Sequence, residues 1–171
     1  MNRGRTPTGE IATRLILSTF RANGLLLGAG DLLGADLGLT SARWQVLGAV
    51  ALADRALTVP QIARRMGLTR QSVHASVNRL VHDGLLELVP NVDHRRSPLV
   101  RLSTQGGRAF EAVDALQTSW VNELVRGMSR NDLENAERVL DELCRRLEAD
   151  RGDDPPHRPA DTERLRQGGV R

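Results

Sequence analysis

Apolar residues recur at helical spacing from Ile11 through Leu15 and Phe20 to Leu25–Leu27, which predicts a long amphipathic first helix. Glycines at 24, 28, 30 and 34 fall inside that pattern, each costing a helix roughly 1 kcal/mol relative to alanine. Two alternatives follow: the helix breaks near Gly28 to Gly30, or the glycines let another helix approach closely. Thr40 stands at N-cap spacing before SARWQVLGAVALA, where Val46, Leu47, Val50 and Ala51 share a face. Thr58-Val59-Pro60-Gln61 reads as a capping box with proline in the first turn, opening a short helix through Met66. Gly67-Leu68 makes a turn, and Thr69 caps RQSVHASVNRLVHD, which Gly84 closes. Leu85-Leu86-Glu87-Leu88-Val89 then reads as a strand, Pro90 to Pro98 as a polar loop, and Leu99-Val100-Arg101-Leu102 as the returning strand of a two-stranded hairpin.

Ser103 or Thr104 caps a long helix carrying Phe110, Val113, Leu116, Trp120 and Leu124, interrupted at Gly127 and Ser129. A last helix follows with Leu133, Ala136, Leu140, Leu143 and Leu147 at alternating spacings of three and four, a heptad seam. Such a stripe serves one amphipathic helix on its own core or a seam between subunits. The second reading is favoured here, because the central part of the chain is too small to occupy both terminal helices. After Asp150 periodicity stops and Asp, Pro, Arg and Gly take over, the composition of a disordered tail. The pattern is mainly α.

Composition narrows the function classes. The 171 residues suit one domain with appendages, and 40% hydrophobic residues are enough for a core. Aromatics are only 2%, so that core is aliphatic, and a stacking platform for single-stranded nucleic acid is nearly excluded. A lone cysteine, Cys144, excludes an internal disulfide framework and a cysteine-built zinc site. The start lacks the basic-then-apolar pattern of a signal peptide. Arg21, Asp31 and Asp36 break the apolar stretch Leu15 to Leu39, so a soluble, cytoplasmic protein away from membranes is expected. Catalytic signatures are missing: there is no G-x-S-x-G, H-E-x-x-H or P-loop. GAGDLLG has Leu33 where a dinucleotide fingerprint needs glycine, and it follows no strand. The histidines at 74, 82, 94 and 157 are scattered, and His74 with Asn78 one turn on lacks a third metal ligand. Neither enzyme activity nor a cofactor or metal is expected.

Charge then points to a partner. All 24 cationic side chains are arginine. Residues 55–110 hold nine arginines against three acids, net +6, whereas residues 111–150 hold five against ten, net −5. A polyanion suits the cationic middle.

Helix, tight turn, helix and a hairpin with a basic tip make a winged helix-turn-helix. A major groove about 12 Å wide admits one helix, which must turn small and polar side chains outward. With Val73, Val77 and Leu80 as its inward stripe, the helix from Arg70 leaves Arg70, Gln71, Ser72, His74, Ala75, Asn78 and Arg79 for the other faces. Arginine pairs with guanine, glutamine with adenine, and Ala75 suits a thymine methyl. Thr69 and the free N–H groups of the helix start suit a phosphate. Arg95 and Arg96 at the hairpin tip suit phosphate clamping or a minor groove, with Asp93 expected to pair with a nearby arginine. A solvated helix face and a solvated turn would use the same residue types.

LTSARWQVLGAV, TVPQIARRMGLTRQSVHASVNRLVHDGLLE and VDHRRSPLVRLSTQG together resemble the MarR family of bacterial transcription regulators. The wing carries most of the likeness: Asp93-His94-Arg95, then Leu99-Val100-Arg101-Leu102-Ser103 and Gly106. Pro98 departs from it, at the point where the returning strand begins. The polar start of the chain reads as a flexible arm at 1–9, and the resemblance implies an N-terminal dimerisation helix at 10–38. A winged helix-turn-helix domain at 39–104, C-terminal dimerisation helices at 105–149 and a disordered tail at 150–171 complete the expected organisation. It further implies a homodimer on a pseudo-palindromic operator in double-stranded DNA, acting as a repressor and released by a small aromatic or lipophilic effector. An effector pocket in this fold would draw its walls from Phe20, Trp44 and Trp120, with Arg43 as an anion anchor; simple core packing, or a structural ion pair for Arg43, would account for the same residues. Two alternatives stand beside this: a winged helix used for protein–protein contact, and a redox-sensing regulator acting through Cys144. Cys144 sits beside Leu143, and inert packing is the expectation for it.

Overall fold

The computed structural model describes residues 4–152. The chain divides into two compact units, one through Leu124 and one from Val125 onward.

The first unit runs α1 (Pro7–Gly34), a 3-10 turn (Ala35–Leu37), α2 (Ser41–Ala51), β1 (Leu57–Thr58), α3 (Val59–Arg65), α4 (Arg70–His82), β2 (Leu86–Val89), β3 (Leu99–Leu102) and α5 (Thr104–Leu124). Helix α1 begins at Pro7, inside the expected arm, because Thr6 Oγ1 accepts a hydrogen bond from Gly9 N (3.0 Å) and proline fills the first turn. It runs unbroken through its glycines. Of the two sequence alternatives the second holds at Gly30, where a Cβ would lie 2.5 Å from Ser41 Oγ of α2; one on Gly34 would lie 2.2 Å from the Leu39 carbonyl oxygen of the loop, while Gly24 and Gly28 face open space. The same close approach supplies the cap of α2. Thr40 occupies the N-cap position but its side chain caps nothing; Asp31, from α1, instead accepts from Ser41 N at 2.6 Å.

The sheet has three antiparallel strands in the order β1-β3-β2, with Leu57 opposite Val100 and Glu87 opposite Arg101. The expected hairpin is therefore joined by a third strand. Two residues are too few to show alternation, and Thr58 doubles as the N-cap of α3, where Gln61 Oε1 accepts from Thr58 N at 2.8 Å. Beneath the sheet, Leu47, Ile62, Leu80 and Val100 are fully buried in one aliphatic cluster, against which Trp44 and Phe110 pack. Ser103, not Thr104, caps α5: its hydroxyl accepts from Gly106 N (2.9 Å) and donates to the Gly84 carbonyl (2.6 Å). A Cβ on Gly106 would lie 1.9 Å from the Leu85 carbonyl oxygen, so only glycine lets α5 start this close to β2.

The second unit contains α6 (Arg130–Gly152), which follows Gly127 in the left-handed region (φ +82) and a Ser129 cap on Asp132 N (3.4 Å). It outlasts Asp150 by two residues; the rest of the expected tail, with His157, lies outside the described residues. Leu133, Val139, Leu140 and Leu147 of α6 are exposed. Cys144 is exposed too, contrary to the packing expected of it, because it lies one residue past the seam position Leu143. Among the described residues no single helix is long and apolar enough to cross a membrane.

Candidate nucleic-acid interface

The turn between α3 and α4 is set by backbone geometry. Gly67 takes φ +65, and Leu68 N returns a hydrogen bond to the Ala63 carbonyl at 2.9 Å. Thr69 then caps α4, its Oγ1 accepting from Ser72 N at 3.2 Å. Val73, Val77 and Leu80 are buried at 1% exposure or less, which fixes the rotation of the helix about its axis. Every candidate contact residue of α4 consequently faces out: Arg70, Gln71, Ser72, His74, Ala75, Asn78 and Arg79 are all exposed, as is Thr69.

They are not equally free. The Ser72 hydroxyl turns back to donate to the Thr69 carbonyl (3.0 Å) and lies 3.0 Å from Thr69 Oγ1. Arg79 lies 3.4 Å from the Asp83 carboxylate. Asn78 Nδ2 is 3.2 Å from His74 Nδ1. Arg70 and Gln71 make no side-chain hydrogen bond or ion pair among the described residues.

Opposite α4 stands the wing, the loop Pro90 to Pro98. Its shape is held by Asn91, which is buried, donates to the Ser97 carbonyl (2.9 Å) and accepts from Asp93 N (3.2 Å). Asp93 makes no ion pair among the described residues, and an asparagine-centred turn stands where the Asp93–arginine tie was expected from sequence. Asn91 lacked any sequence signal beyond its place in a polar loop. Arg95 and Arg96 are exposed. A groove of about 460 Å³ lies between wing and helix, lined by Arg70, Gln71, His74 and Asn78 on one side and Arg96, Ser97 and Pro98 on the other. On the other flank of the wing, Arg55, Arg64 and His94 line a second hollow of about 600 Å³ together with Asp93.

The acids of this cationic segment are largely answered within the chain. Glu87 takes Arg101 across the sheet at 2.8 Å. Asp83 is met by His82, Arg79 and Arg43, the last in a short ion pair. A hydrogen bond from His82, then the charges of Arg79 and Arg43, hold its carboxyl below the ordinary 3.8. Arg43 also donates to the Gly38 carbonyl (3.0 Å), so it ties the start of α2 to the end of α4.

The four candidate effector residues are not brought together. Trp44 lines a pocket of about 460 Å³ with Gly48, Leu52, Met66, Phe110 and Asp114, but Phe20, Arg43 and Trp120 do not. Phe20 is exposed on α1, and Arg43 is engaged with Asp83. Phe110, which sequence reading took only as a helix-face residue, supplies the second aromatic wall. Among the described residues no group of three or more histidine, cysteine, aspartate or glutamate side chains could hold a metal ion.

With this geometry in place, comparison with known proteins is direct. The MarR family model matches residues 37–97, which span α2, both helices of the helix-turn-helix and the wing. An uncharacterised protein of Mycobacterium tuberculosis is 51% identical over 104 residues, covering 61% of this chain and 71% of its own. The chain belongs to the MarR family of transcription regulators. Another similar protein is the transcriptional activatory protein BadR of Rhodopseudomonas palustris, 28% identical over 127 residues, 72% of this chain and 73% of that one. Among solved structures, the Mycobacterium tuberculosis transcriptional regulator MOSR in complex with DNA superposes with a TM-score of 0.68 over 80% of this chain and 97% of that one, at 23% identity. That fold covers 80% of this chain, and the winged helix-turn-helix, its reading head, lies largely within the family match.

Proposed function

We propose that this MarR-family regulator binds a pseudo-palindromic operator as a homodimer, represses transcription by occupying it, and releases it when a small aromatic or lipophilic effector binds. One observation carries the reading. The buried stripe Val73, Val77 and Leu80 forces the hydrogen-bonding residues of α4 outward, beside a wing whose arginines have no partner among the described residues. A helix so presented fits the major groove while Arg95 and Arg96 meet the backbone or the minor groove. The exposed leucines of α1 and α6 support a second copy, which would set two α4 helices on successive turns of the duplex. Trp44 and Phe110 form aromatic walls suited to the effector. Repression is the expected sign, since a dimer across two turns occludes that stretch; BadR is named for activation, so a promoter–reporter assay reads the sign directly.

Selection of binding sites from random duplexes by the purified protein tests this. The expected product is an inverted repeat with half-site centres about ten base pairs apart. Arg95→Ala should weaken all sequences alike, whereas Arg70→Ala or Gln71→Ala should flatten base preference. Uniform loss in all three variants would put some other surface in the groove. Binding indifferent to salt would favour the protein–protein alternative, because phosphate neutralisation makes affinity fall steeply with ionic strength.

A further inference from the structure

The one side-chain hydrogen bond between two exposed residues in the middle of α4 joins His74 and Asn78, with Asn78 Nδ2 3.2 Å from His74 Nδ1. The two lie one turn apart, on the side of the helix that the burial of Val73 and Val77 turns outward, and both line the groove facing the wing. An amide N–H donating to Nδ1 needs the ring neutral, with its proton on Nε2. One of the two amide N–H groups of Asn78 is used in this bond. The other remains with Oδ1, a donor beside an acceptor, and that edge matches the N7 and N6–H₂ of adenine in the major groove. An exposed asparagine without such a tether exchanges its amide oxygen and nitrogen by rotation, and would have to be ordered when it binds.

We propose that His74 is a positioning residue that presets the Asn78 amide to read an adenine in each half-site. The charged groups lining the same groove are Arg70 and Arg96, both cations, so phosphate attraction and base reading are divided between neighbours. The inference rests on α4 entering the duplex, and adds which base one of its residues reads and what fixes that residue in place.

The test is site selection from random duplexes, followed by affinity measurement on the selected site. Asn78→Ala should erase an adenine preference at one position per half-site, with a loss of roughly tenfold on the selected duplex. His74→Ala should erase the preference at that same position, with a loss of roughly threefold to tenfold. The double variant should bind like Asn78→Ala alone, and His74→Gln, which restores an acceptor within reach of residue 78, should recover the preference. Because both side chains are exposed, thermal melting of every variant should match the wild type. If His74→Ala keeps the adenine preference, if His74→Gln behaves as His74→Ala, or if the two losses multiply, the positioning role is overturned. If the wild type itself enriches no duplex, the DNA-binding reading of α4 falls and takes this inference with it; a wild type that selects a site matched by its His74 variants overturns the inference alone.

Discussion

The winged part of the chain and its terminal helices use the same aliphatic residues to opposite ends. In the winged part Leu47, Ile62 and Leu80 are fully buried by their own chain. On α1, Leu17 is 61% and Phe20 69% exposed, and on α6 Leu147 is 63% exposed. Burying one such side chain is worth about 1.5–3 kcal/mol, so an apolar stripe along α1 and another along α6 is a large unrealised gain. With Asp31 of α1 capping α2 and Phe110 of α5 packed on its core, the reading head is complete within one chain. The outer faces of α1 and α6 are left open, and a second copy of the chain answers both stripes in the function proposed above.

The largest expected effect separates these regions outright. Leu17→Arg with Leu140→Arg should yield a monomer by sedimentation, with the far-ultraviolet signal of the winged part retained. Affinity for a two-half-site duplex should fall about 10²–10⁴-fold, because each head then binds alone. A monomeric wild type would remove the contrast. Next in size is Leu80→Ala, expected to cost about 2–5 kcal/mol in urea unfolding. Measured in the monomeric background, that cost should be independent of protein concentration. A cost that vanished there would mean the reading head draws its stability from the partner.

The same contrast explains what sequence reading could reach. Val73, Val77 and Leu80 announce their helix face by spacing alone, because a helix packed against a core must repeat its apolar residues at that interval. Hence the orientation of α4, and with it the exposed set from Arg70 to Arg79, was legible. The helix that bears the heptad from Leu133 to Leu147 was legible by its spacing too, although its leucines at 133, 140 and 147 are exposed. Features that depend on a partner distant in sequence were not. Asp31 caps α2 in place of Thr40, and Arg43 is held by Asp83, forty residues away. β1 is too short for a periodic signal and exists only because β3 lies beside it. Phe110 meets Trp44 across a pocket that no spacing predicts. Cys144 went astray by one position: Leu143 is half-buried, and its neighbour lies in solvent.

The smallest effect concerns two carboxylates, one in each unit. Asp83 is held below its ordinary 3.8 first by His82 and then by Arg79 and Arg43. Glu142 is held at about 2 by hydrogen bonds from Arg145 and Arg146 on the same helix. A carboxyl whose folded value is depressed adds stability above its unfolded value, and that stability is lost as pH falls through the folded one. For Glu142 the window opens near 4.5 and closes near 2; for Asp83 it opens near 3.8 and extends below. Their reach differs, because Asp83 joins α4 to α2 through Arg43 whereas the partners of Glu142 are its own neighbours in α6. In the monomeric background, Asp83→Asn should therefore lower the urea midpoint at pH 5, and the gap to the parent should narrow as the pH drops below 3.8. Glu142→Gln should leave that midpoint unmoved at both pH values, and only slightly reduce the helical signal at pH 5. A midpoint more sensitive to Glu142 than to Asp83 would mean that α6 is part of the cooperative core after all, and the division between a self-sufficient head and unfinished terminal helices would not stand.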